Sequence, residues 1–414
     1  MALLNKGWRY SGNELNYVKE VLDSGFAAAT SGSMNKRFEE AFAQKVGVRY
    51  AMTLNSGTST LHSALAACGV GPGDEVIIPA LTVVMCGYAV LYAGATPVFA
   101  DVDAKTFLID PADIERKITS RTKAIMPVHL YGQVCDMDAI MQIAQKHNLK
   151  IVEDCAESFM ATDAQGRLCG TIGDAGSFSL ENSKHISTGD GGVLITNDES
   201  LAERMRKFAG MGFKNIQAGS GQVRRSKDVF QNPSYLRHDT FGFNYRMTEV
   251  AAAVGMGQLE RADMFVSLRR RAGLGFLQVI QETGCDWLVP QYTPSGYVNT
   301  YWTFALQFEG KEKRGIEWAD FRKKYLELGG DGIYSAWALV YNEPIIQMLG
   351  KEGKFFPGLD TKQGGQFMGM CDNVQCPNAE SLQPKMMHLP TNQFSEEEIL
   401  IKMEALRKTI QFFS

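Results

Sequence analysis

Residues 177 to 198, SFSLENSKHISTGDGGVLITND, join two short apolar runs through a polar loop that carries a single lysine. Such apolar runs are typical of strands in a buried sheet. Lys184 lies five residues after Ser179 and shortly before the flexible run Gly189-Asp190-Gly191-Gly192. A lysine amine is a poor nucleophile at its ordinary pKa of about 10.4, and it becomes useful for imine chemistry in a dry site that favours its neutral form. Taken alone, the stretch is explained better by a surface lysine on a solvated loop.

Short apolar runs and helical segments alternate outward from this loop. The strand candidates are EVIIPA, ATPVFADV, TKAIMPVHL, LKIVEDCA, DAGSFSL and GGVLITN. The helix candidates between them include Thr58 to Cys68, Pro111 to Ile118 and Met137 to His147. This alternation predicts a mostly parallel, doubly wound sheet with helices on both faces, and ligands in such sheets bind beyond the carboxyl ends of the strands.

The length of the chain predicts two domains. It has 414 residues, more than the roughly 250 to 300 at which a single core stops growing. The pattern changes around a helical stretch at residues 242 to 273, so we expect a large domain over residues 1–265 and a smaller one over 266–414. Residues 214 to 240 are polar and basic, which is typical either of a solvated loop or of a lid that contacts substrate.

Composition excludes several classes of protein. Hydrophobic residues make up 45%, charged residues 21%, and the formal net charge is -4, so neither a nucleic-acid nor a membrane partner is expected. No run approaches the roughly 18 apolar residues of a membrane span, and the N-terminal stretch lacks signal-peptide features, which predicts a cytoplasmic protein. The eight cysteines include no C-x-x-C motif. Reduced thiols are favoured over a metal site or a disulfide at the close pair Cys371 and Cys376, and no metal centre is expected.

A candidate phosphate site lies in AMTLNSGTSTLHSALAACGV, residues 51 to 70. An apolar strand ends at Asn55-Ser56-Gly57-Thr58, and a helix begins at once. Helix starts present free backbone N–H groups and a positive dipole end, and a glycine lets an anion approach the backbone closely. A plain Ser/Thr N-cap is nevertheless the better explanation of this stretch alone.

Two acids, Glu153 and Asp154, follow a buried-type strand in IVEDCAES. A carboxylate at the end of a central strand is desolvated and needs a cationic partner, such as a protonated ring nitrogen. A helix-capping aspartate explains either acid better when it is taken alone. A phosphate site, an acid for a ring nitrogen and an imine-forming lysine are together what pyridoxal phosphate requires, so the three stretches in combination favour this cofactor.

Six ordered segments carry a resemblance to a known family. They are SGTSTLHSALAACGVGPGDEVIIPALTVV, GATPVFADVDAKTFLID, TKAIMPVHLYGQVCDMDAI, IVEDCAES, GDAGSFSLENSKHISTGDGGVLITND and GFNYRMTEVAAAVGMGQLER. Together they resemble the DegT/DnrJ/EryC1/StrS family of pyridoxal-phosphate-dependent sugar aminotransferases. The resemblance implies an aspartate-aminotransferase-like α/β fold (PLP fold type I). In it, a large domain with a mostly parallel seven-stranded sheet flanked by helices precedes a smaller C-terminal α/β domain.

The resemblance also implies roles for particular residues. Lys184 matches the family's Schiff-base lysine, and Asp154 matches the acid that bonds the pyridine nitrogen. Ser179 and the helix start Gly57-Thr58-Ser59 match the phosphate cradle. Asn244 in GFNYR matches an asparagine that the neighbouring subunit contributes to the same phosphate. A homodimer with shared active sites is therefore expected.

Two cofactor-site positions depart from the family pattern. Val83 stands where the family usually has an aromatic residue that stacks on the cofactor ring. Glu157 stands where the family usually has Gln or His beside the cofactor. A carboxylate there would lie near the phenolic oxygen of the cofactor, where it raises the pKa of the lysine adduct, or would contact the substrate directly. Both departures bear on the substrate more than on the cofactor.

By resemblance, the reaction is a transfer of an amino group from L-glutamate to a keto- or aldehyde-sugar, for cell-surface polysaccharide or lipopolysaccharide. A nucleotide-linked keto-sugar is the favoured acceptor, and an oxidised 3-deoxy-octulosonate is the second candidate. A basic segment suits either a diphosphate or the carboxylate of a sugar acid. Its members are Arg224, Arg225, Lys227, Arg237 and His238.

Three other classes are weighed against this function. Dehydratases of 3-deoxysugar biosynthesis resemble this chain but have histidine in place of the lysine, so Lys184 argues against that class. A non-enzymatic regulator that binds pyridoxal phosphate would not need an imine-forming lysine. A nucleotide-binding Rossmann protein would need a full G-x-G-x-x-G after its first strand, which LNSGTSTLH does not supply.

Overall fold

The computed structural model describes residues 9–26, 34–221, 227–356, 359–360 and 364–414. Arg224 and Arg225 of the predicted basic segment lie outside the described residues, and so does the side chain of Lys227. The ends of the segment 214 to 240 are held together, because the Lys214 N–H donates to the Arg237 carbonyl oxygen at 3.0 Å. Whether this segment is a solvated loop or a substrate lid stays a prediction.

A seven-stranded sheet forms the centre of the fold. Its strands are β1 Tyr50–Leu54, β2 Glu75–Pro79, β3 Thr96–Ala100, β4 Thr122–Ile125, β5 Lys150–Asp154, β6 Ala175–Ser179 and β7 Gly192–Thr196. Their spatial order is β1-β7-β6-β5-β4-β2-β3. Only β7 runs antiparallel to its neighbours, whereas the other pairings are parallel. The predicted mostly parallel sheet is therefore confirmed.

Helices cover this sheet and connect its strands. They are α1 Glu14–Asp23, α2 Met34–Val46, α3 Gly57–Ala67, α4 Met85–Tyr92, α5 Pro111–Lys117, α6 Met137–His147, α7 Glu199–Ala209, α8 Lys227–Gln231, α9 Glu249–Glu260 and α10 Ala262–Glu282. Several begin where a Ser, Thr or Asp side chain accepts a backbone N–H of the first turn. Such N-caps satisfy donors that the helix itself leaves unpaired, which is why the sequence locates these starts well.

The predicted helical stretch at residues 242 to 273 is wrong at its beginning. Asn244 pairs with Gly210, and Arg246 pairs with Leu54, in isolated antiparallel bridges. These pairings keep the chain extended until Thr248, whose hydroxyl caps α9. Two successive helices, α9 and α10, then follow in place of one.

A second, smaller sheet follows α10. Its strands are β8 Leu288–Pro290, β9 Thr303–Phe308, β10 Tyr334–Ser335 and β13 Met386–Pro390, in the order β10-β13-β9-β8, and all are antiparallel. The remaining elements are α11 Gly310–Arg314, α12 Trp318–Glu327, α13 Pro344–Glu352, β11 Lys354–Phe356, β12 Leu359–Asp360, α14 Pro377–Leu382 and α15 Glu396–Phe413. None of the helices in the described residues is both long and apolar enough to cross a membrane.

The described residues form two hydrophobic cores. The larger surrounds the seven-stranded sheet, and the smaller is built from residues between Ala272 and Ile410. Residues of the stretch from Ala336 to Met386 pack into the larger core. The division into 1–265 and 266–414 stays a prediction.

Candidate active site

Helix α3 starts at the sheet edge where the predicted site residues meet. Leu54 at the end of β1 pairs with Gly192 at the start of β7, which pairs in turn with Ser179 at the end of β6. The start of α3 therefore lies beside the carboxyl end of β6. A Cβ atom on Gly57 would lie 2.9 Å from the Cβ of Ser179. Glycine is needed here because the helix start and the strand end approach so closely.

The first turn of α3 offers backbone donors. The Ser59 N–H donates to the Ser56 hydroxyl at 3.1 Å, and the Ser56 N–H donates to the Ser59 hydroxyl at 3.2 Å. This capping box uses two donors at the helix start. The N–H groups of Gly57 and Thr58, as the first two of the helix, have no intrahelical acceptor. The start of α3 lies against Ser179, and free N–H groups at a helix start favour anions.

Asp154 ends β5 and pairs with Ser177, which lies two residues before Ser179 on β6. The side chain of Asp154 is buried. Its two oxygens accept hydrogen bonds from the Ala156 N–H at 3.0 Å and from the Cys86 thiol at 3.3 Å. Both donors are uncharged, and burial raises the pKa of the Asp154 carboxyl. A cation that approached this carboxylate would offset its desolvation, which is what a protonated ring nitrogen does.

Glu153, the neighbouring acid, has a different environment. It is fully buried, and its carboxylate accepts from the His129 Nε2–H at 2.9 Å and from backbone N–H groups between residues 170 and 173. Glu153, His129 and Cys155 bring potential metal ligands within 4.8 Å of one another. However, both carboxylate oxygens of Glu153 are already engaged by these N–H donors. We therefore interpret this cluster as a hydrogen-bonded support for the strand end.

The Lys184 amine is held between a carboxylate and an aromatic ring. Its Nζ lies 3.2 Å from Glu157 Oε1 and 3.8 Å from the centre of the Trp302 ring. The side chains of Lys184 and Glu157 are only 13% and 4% exposed. The second oxygen of Glu157 accepts the Tyr131 N–H at 3.1 Å. Burial raises the pKa of the Glu157 carboxyl, and the charge of Lys184 opposes that rise.

The backbone around Lys184 is fixed by side chains from distant parts of the chain. Arg269 donates to the Ser183 carbonyl oxygen at 2.8 Å, and Arg9 donates to the Lys184 carbonyl oxygen. The Trp302 indole N–H donates to the Ser183 carbonyl oxygen at 2.9 Å. Sequence reasoning missed these three residues, because no local pattern connects them to the loop that carries Lys184.

An aromatic stack extends from the amine. Trp302 and Trp337 are stacked with ring centres 5.9 Å apart, and Trp337 and Tyr131 are stacked with centres 6.2 Å apart. Val83, the position at which an aromatic residue was missing, lies half-buried just before α4. The chain therefore has an aromatic stack beside the lysine, in which Trp302 directly precedes β9, Trp337 follows β10 and Tyr131 follows β4.

Asn244 is exposed, and it lies between two half-buried aromatic residues, Phe243 and Tyr245. The Asn55 N–H, at the end of β1, donates to the Tyr245 carbonyl oxygen at 2.8 Å, so this segment lies beside the start of α3. Phe243 and Tyr245 stack at 5.1 Å, while Phe241 and Tyr92 are 78% and 54% exposed. Phe241, Phe243, Tyr245 and Tyr92 are called the aromatic patch below.

Comparisons with known proteins identify the family of this chain. The model of the DegT/DnrJ/EryC1/StrS aminotransferase family matches residues 9–316. A GDP-perosamine synthase from Caulobacter vibrioides is 42% identical over 72% of this chain and 75% of its own length. A UDP-N-acetyl-3-dehydro-alpha-D-glucosamine 3-aminotransferase from Acidithiobacillus ferrooxidans is 33% identical over 96% of this chain and 93% of its own length.

A solved structure confirms the fold class. The aminotransferase from Psychrobacter cryohalolentis superposes with a TM-score of 0.82 at 29% identity, and the match covers 97% of both chains. The architecture is that of PLP fold type I, as predicted from the sequence.

Proposed function

The chain belongs to the DegT/DnrJ/EryC1/StrS aminotransferase family, and on that premise we propose that it transfers an amino group from L-glutamate to a nucleotide-linked keto-sugar. The family confirms the predicted class, a pyridoxal-phosphate-dependent sugar aminotransferase. The observation that carries the proposal is the presence of Lys184, Asp154 and the start of α3 at one edge of the sheet.

The residues at this edge fit pyridoxal 5'-phosphate. Because Gly57 has no Cβ atom, a small space remains open between the helix start and Ser179. Free backbone N–H groups lie next to this space. Asp154 is a buried carboxylate with only uncharged donors. In this proposal Gly57-Thr58-Ser59 and Ser179 hold the phosphate, Asp154 bonds the ring nitrogen, and Lys184 bonds the carbonyl carbon. Val83 and Glu157 would line the ring. When bound, the cofactor supplies an electron sink for the carbon that carries the amino group.

The chain's own residues would supply the acid–base chemistry. Lys184 Nζ takes the proton from the substrate carbon and returns it, as a positioned general base and acid. Asp154 would keep the ring nitrogen protonated, because the negative carboxylate stabilises the positive charge of the protonated nitrogen. The buried Glu157 and the ring of Trp302 exclude water from the amine.

The acceptor is inferred from the relatives. The two relatives described above are named for a GDP-linked and a UDP-linked sugar. Their names support a nucleotide-linked keto-sugar over an oxidised 3-deoxy-octulosonate. Neither name favours the dehydratase or the non-enzymatic regulator. The cytoplasmic location expected from the sequence stays a prediction.

We also propose a homodimer in which Asn244 reaches the phosphate of the neighbouring subunit. Asn244 is exposed in the single chain, and it lies within the aromatic patch. Exposed patches of this kind are typical of protein interfaces. Burial of the aromatic patch against a second copy would bring Asn244 to a partner's site.

The transfer is tested with a panel of GDP-linked, UDP-linked and free keto-sugars, with L-glutamate as donor. We expect 2-oxoglutarate and an aminated product from at least one nucleotide-linked sugar, and neither product with Lys184→Ala. Amination of free sugars alone would contradict the proposed acceptor. Loss of transfer from L-glutamate, with transfer from another amino donor, would contradict the donor.

The dimer is tested by mixing inactive Lys184→Ala with inactive Asn244→Asp subunits. We expect activity to return in the mixture, because one of the two sites in each heterodimer then carries neither substitution. Absence of recovery, when subunit exchange is shown by mass spectrometry, would mean that Asn244 acts within its own chain.

A further inference from the structure

Two side chains of different chemistry flank the Lys184 ammonium. On one side Glu157 Oε1 lies 3.2 Å from Nζ, and on the other the Trp302 ring centre lies 3.8 Å from it. A carboxylate and the negative face of an aromatic ring both attract a cation. This arrangement therefore suits the protonated, unbonded form of the lysine.

Hydrogen bonds to other parts of the protein hold both Glu157 and Trp302 in place. Glu157 accepts the Tyr131 N–H at its other oxygen. Trp302 donates its indole N–H to the Ser183 carbonyl oxygen, and its own carbonyl oxygen accepts from Arg269 at 2.6 Å. The positions of Glu157 and Trp302 therefore depend on hydrogen bonds that do not involve the Lys184 amine.

Several charged groups lie near the amine. Among the described residues, Lys184 interacts electrostatically with the carboxyl groups of Asp154 and Glu157. His185 also faces this charge but is fully buried, and burial lowers its pKa well below the ordinary value. The guanidinium groups of Arg9 and Arg269 bind backbone carbonyl oxygens of the same loop. Glu157 is thus the carboxylate in direct contact with the amine.

Amino-group transfer requires Lys184 to be free during part of the cycle. The lysine nitrogen is displaced when the nitrogen of the donor takes its place, so one carbon–nitrogen bond is exchanged for another without an oxidant or a reductant. The displaced amine must then stay close to the reacting carbon, where it moves the proton. A mobile lysine would lose that position, and proton transfer depends strongly on it.

We infer that Glu157 and Trp302 form a resting site for the free Lys184 ammonium, which holds the amine beside the reacting carbon until it bonds again. The inference rests on the proposed role of Lys184. It makes both Glu157 and Trp302 positioning residues, which act through Lys184. It also gives the carboxylate at position 157 a role through its contact with Lys184, in addition to lining the cofactor ring.

The chain offers a matched control. Lys324 has the same two kinds of partner, since its Nζ lies 2.9 Å from Glu327 Oε2 and 4.2 Å from the Phe412 ring centre. The two sites differ in burial, because Phe412 is 61% exposed whereas Trp302 is half-buried. Lys324 therefore serves as a reference, because it shows how a lysine with the same kinds of partner reacts when the site is exposed to water.

The first test measures acetylation of Lys184 in the full-length chain freed of cofactor. The probe is acetic anhydride at one fixed pH, and peptide mass spectrometry quantifies Lys184 against Lys324. We expect Trp302→Leu and Glu157→Gln each to speed labelling of Lys184 about tenfold relative to Lys324, and Trp302→Phe to restore most of the protection. Equal labelling of Lys184 in the wild type and in both disruptive variants would overturn the inference.

The second test measures turnover of the holoenzyme. We expect Trp302→Leu to lower kcat about tenfold with little change in KM for the sugar, and Trp302→Phe to recover most of kcat. Loss of protection without any loss of kcat would overturn the link between the resting site and the reaction. Should Trp302→Leu fail to fold, Glu157→Gln carries both tests as the disruptive variant, with faster labelling of Lys184 and a lower kcat expected.

A borohydride control separates this inference from the proposed function. Reduction of the holoenzyme should fix the cofactor to Lys184 in the wild type and in each resting-site variant. Cofactor fixed elsewhere would contradict the role of Lys184 itself. Cofactor fixed to Lys184, with labelling unchanged in the variants, would overturn only the resting site.

Discussion

Two lysines of this protein have the same kinds of partner in different surroundings. Lys184 lies 3.2 Å from Glu157 and 3.8 Å from the Trp302 ring centre. Lys324 lies 2.9 Å from Glu327 and 4.2 Å from the Phe412 ring centre. On geometry alone, the surface triad is as well formed as the one at the candidate site.

The two carboxyl groups respond in opposite directions. Burial raises the pKa of Glu157, whereas the hydrogen bond from Lys324 lowers the pKa of Glu327. Water screens the surface pair and solvates each charge, but the buried pair has mostly its own partners. Desolvation, more than the identity of the partners, therefore separates a candidate catalytic lysine from a solvated one.

The largest expected difference between the two sites is in turnover. Lys184→Ala should lower kcat by about a thousandfold or more, because the amine both bonds the cofactor and moves the proton. Lys324→Ala should leave kcat unchanged and shift the melting temperature only slightly. Steady-state kinetics of the two variants measure the difference. Similar kcat values in both would mean that Lys184 is only a structural lysine.

Asp154 extends the contrast to a buried carboxylate with only neutral donors. Asp154→Asn should lower kcat by about a hundredfold or more, because the amide cannot offset a positive charge in a desolvated site. Glu327→Gln, which neutralises a surface carboxylate, should leave kcat unchanged. Near-normal turnover in Asp154→Asn would reject its assignment to the ring nitrogen.

The opposite pKa shifts predict opposite effects of pH on stability. The folded-state pKa of Glu157 lies above its ordinary value of 4.5, so its ionisation costs stability as pH rises through that folded-state value. Glu157→Gln should therefore gain stability relative to the wild type as pH rises above about 4.5.

The surface acid should show the reverse dependence. The folded-state pKa of Glu327 lies below 4.5, so its contribution is present above that value and is lost as pH falls through the folded-state pKa. Glu327→Gln should therefore be slightly less stable than the wild type at neutral pH and equal to it in acid. Thermal unfolding of the cofactor-free chains across about pH 2 to 8 measures both differences, and slopes of the same sign would contradict the effect of burial.

The smallest expected effect concerns the Cys86 thiol, which donates to Asp154 at 3.3 Å. Burial raises the pKa of this thiol well above the ordinary value, so it stays protonated and keeps its donor. Cys86→Ala should remove one hydrogen bond, at a cost of about 1 kcal/mol, and should lower kcat/KM several-fold. Cys86→Ser retains a donor and should lose less, and an equal loss in both variants would point to packing instead.

Much of the fold could be predicted because its signals are local. Helix α6 begins and ends at the predicted residues, Met137 and His147, after an Asp136 cap. The stretch after residue 242 could not be predicted, because its extended form depends on pairing with Leu54 and Gly210. A cap or an apolar run acts over a few residues, whereas such a bridge joins residues that are far apart in the chain.

Sequence alone determined the mostly parallel sheet, because strand ends, caps and glycines are set by neighbouring residues. The family was identified by resemblance to known sequences, and the cofactor was indicated by three stretches in combination and by that resemblance. The roles of Lys184, Asp154 and the start of α3 stay predictions. Only the tertiary structure decided the partners of the amine. Glu157 contacts Lys184, while its position beside the cofactor or the substrate stays a prediction, and Trp302, directly before β9, reaches the same amine. These contacts depend on tertiary packing, because Glu157, Lys184 and Trp302 are distant in sequence and meet only when the chain has folded.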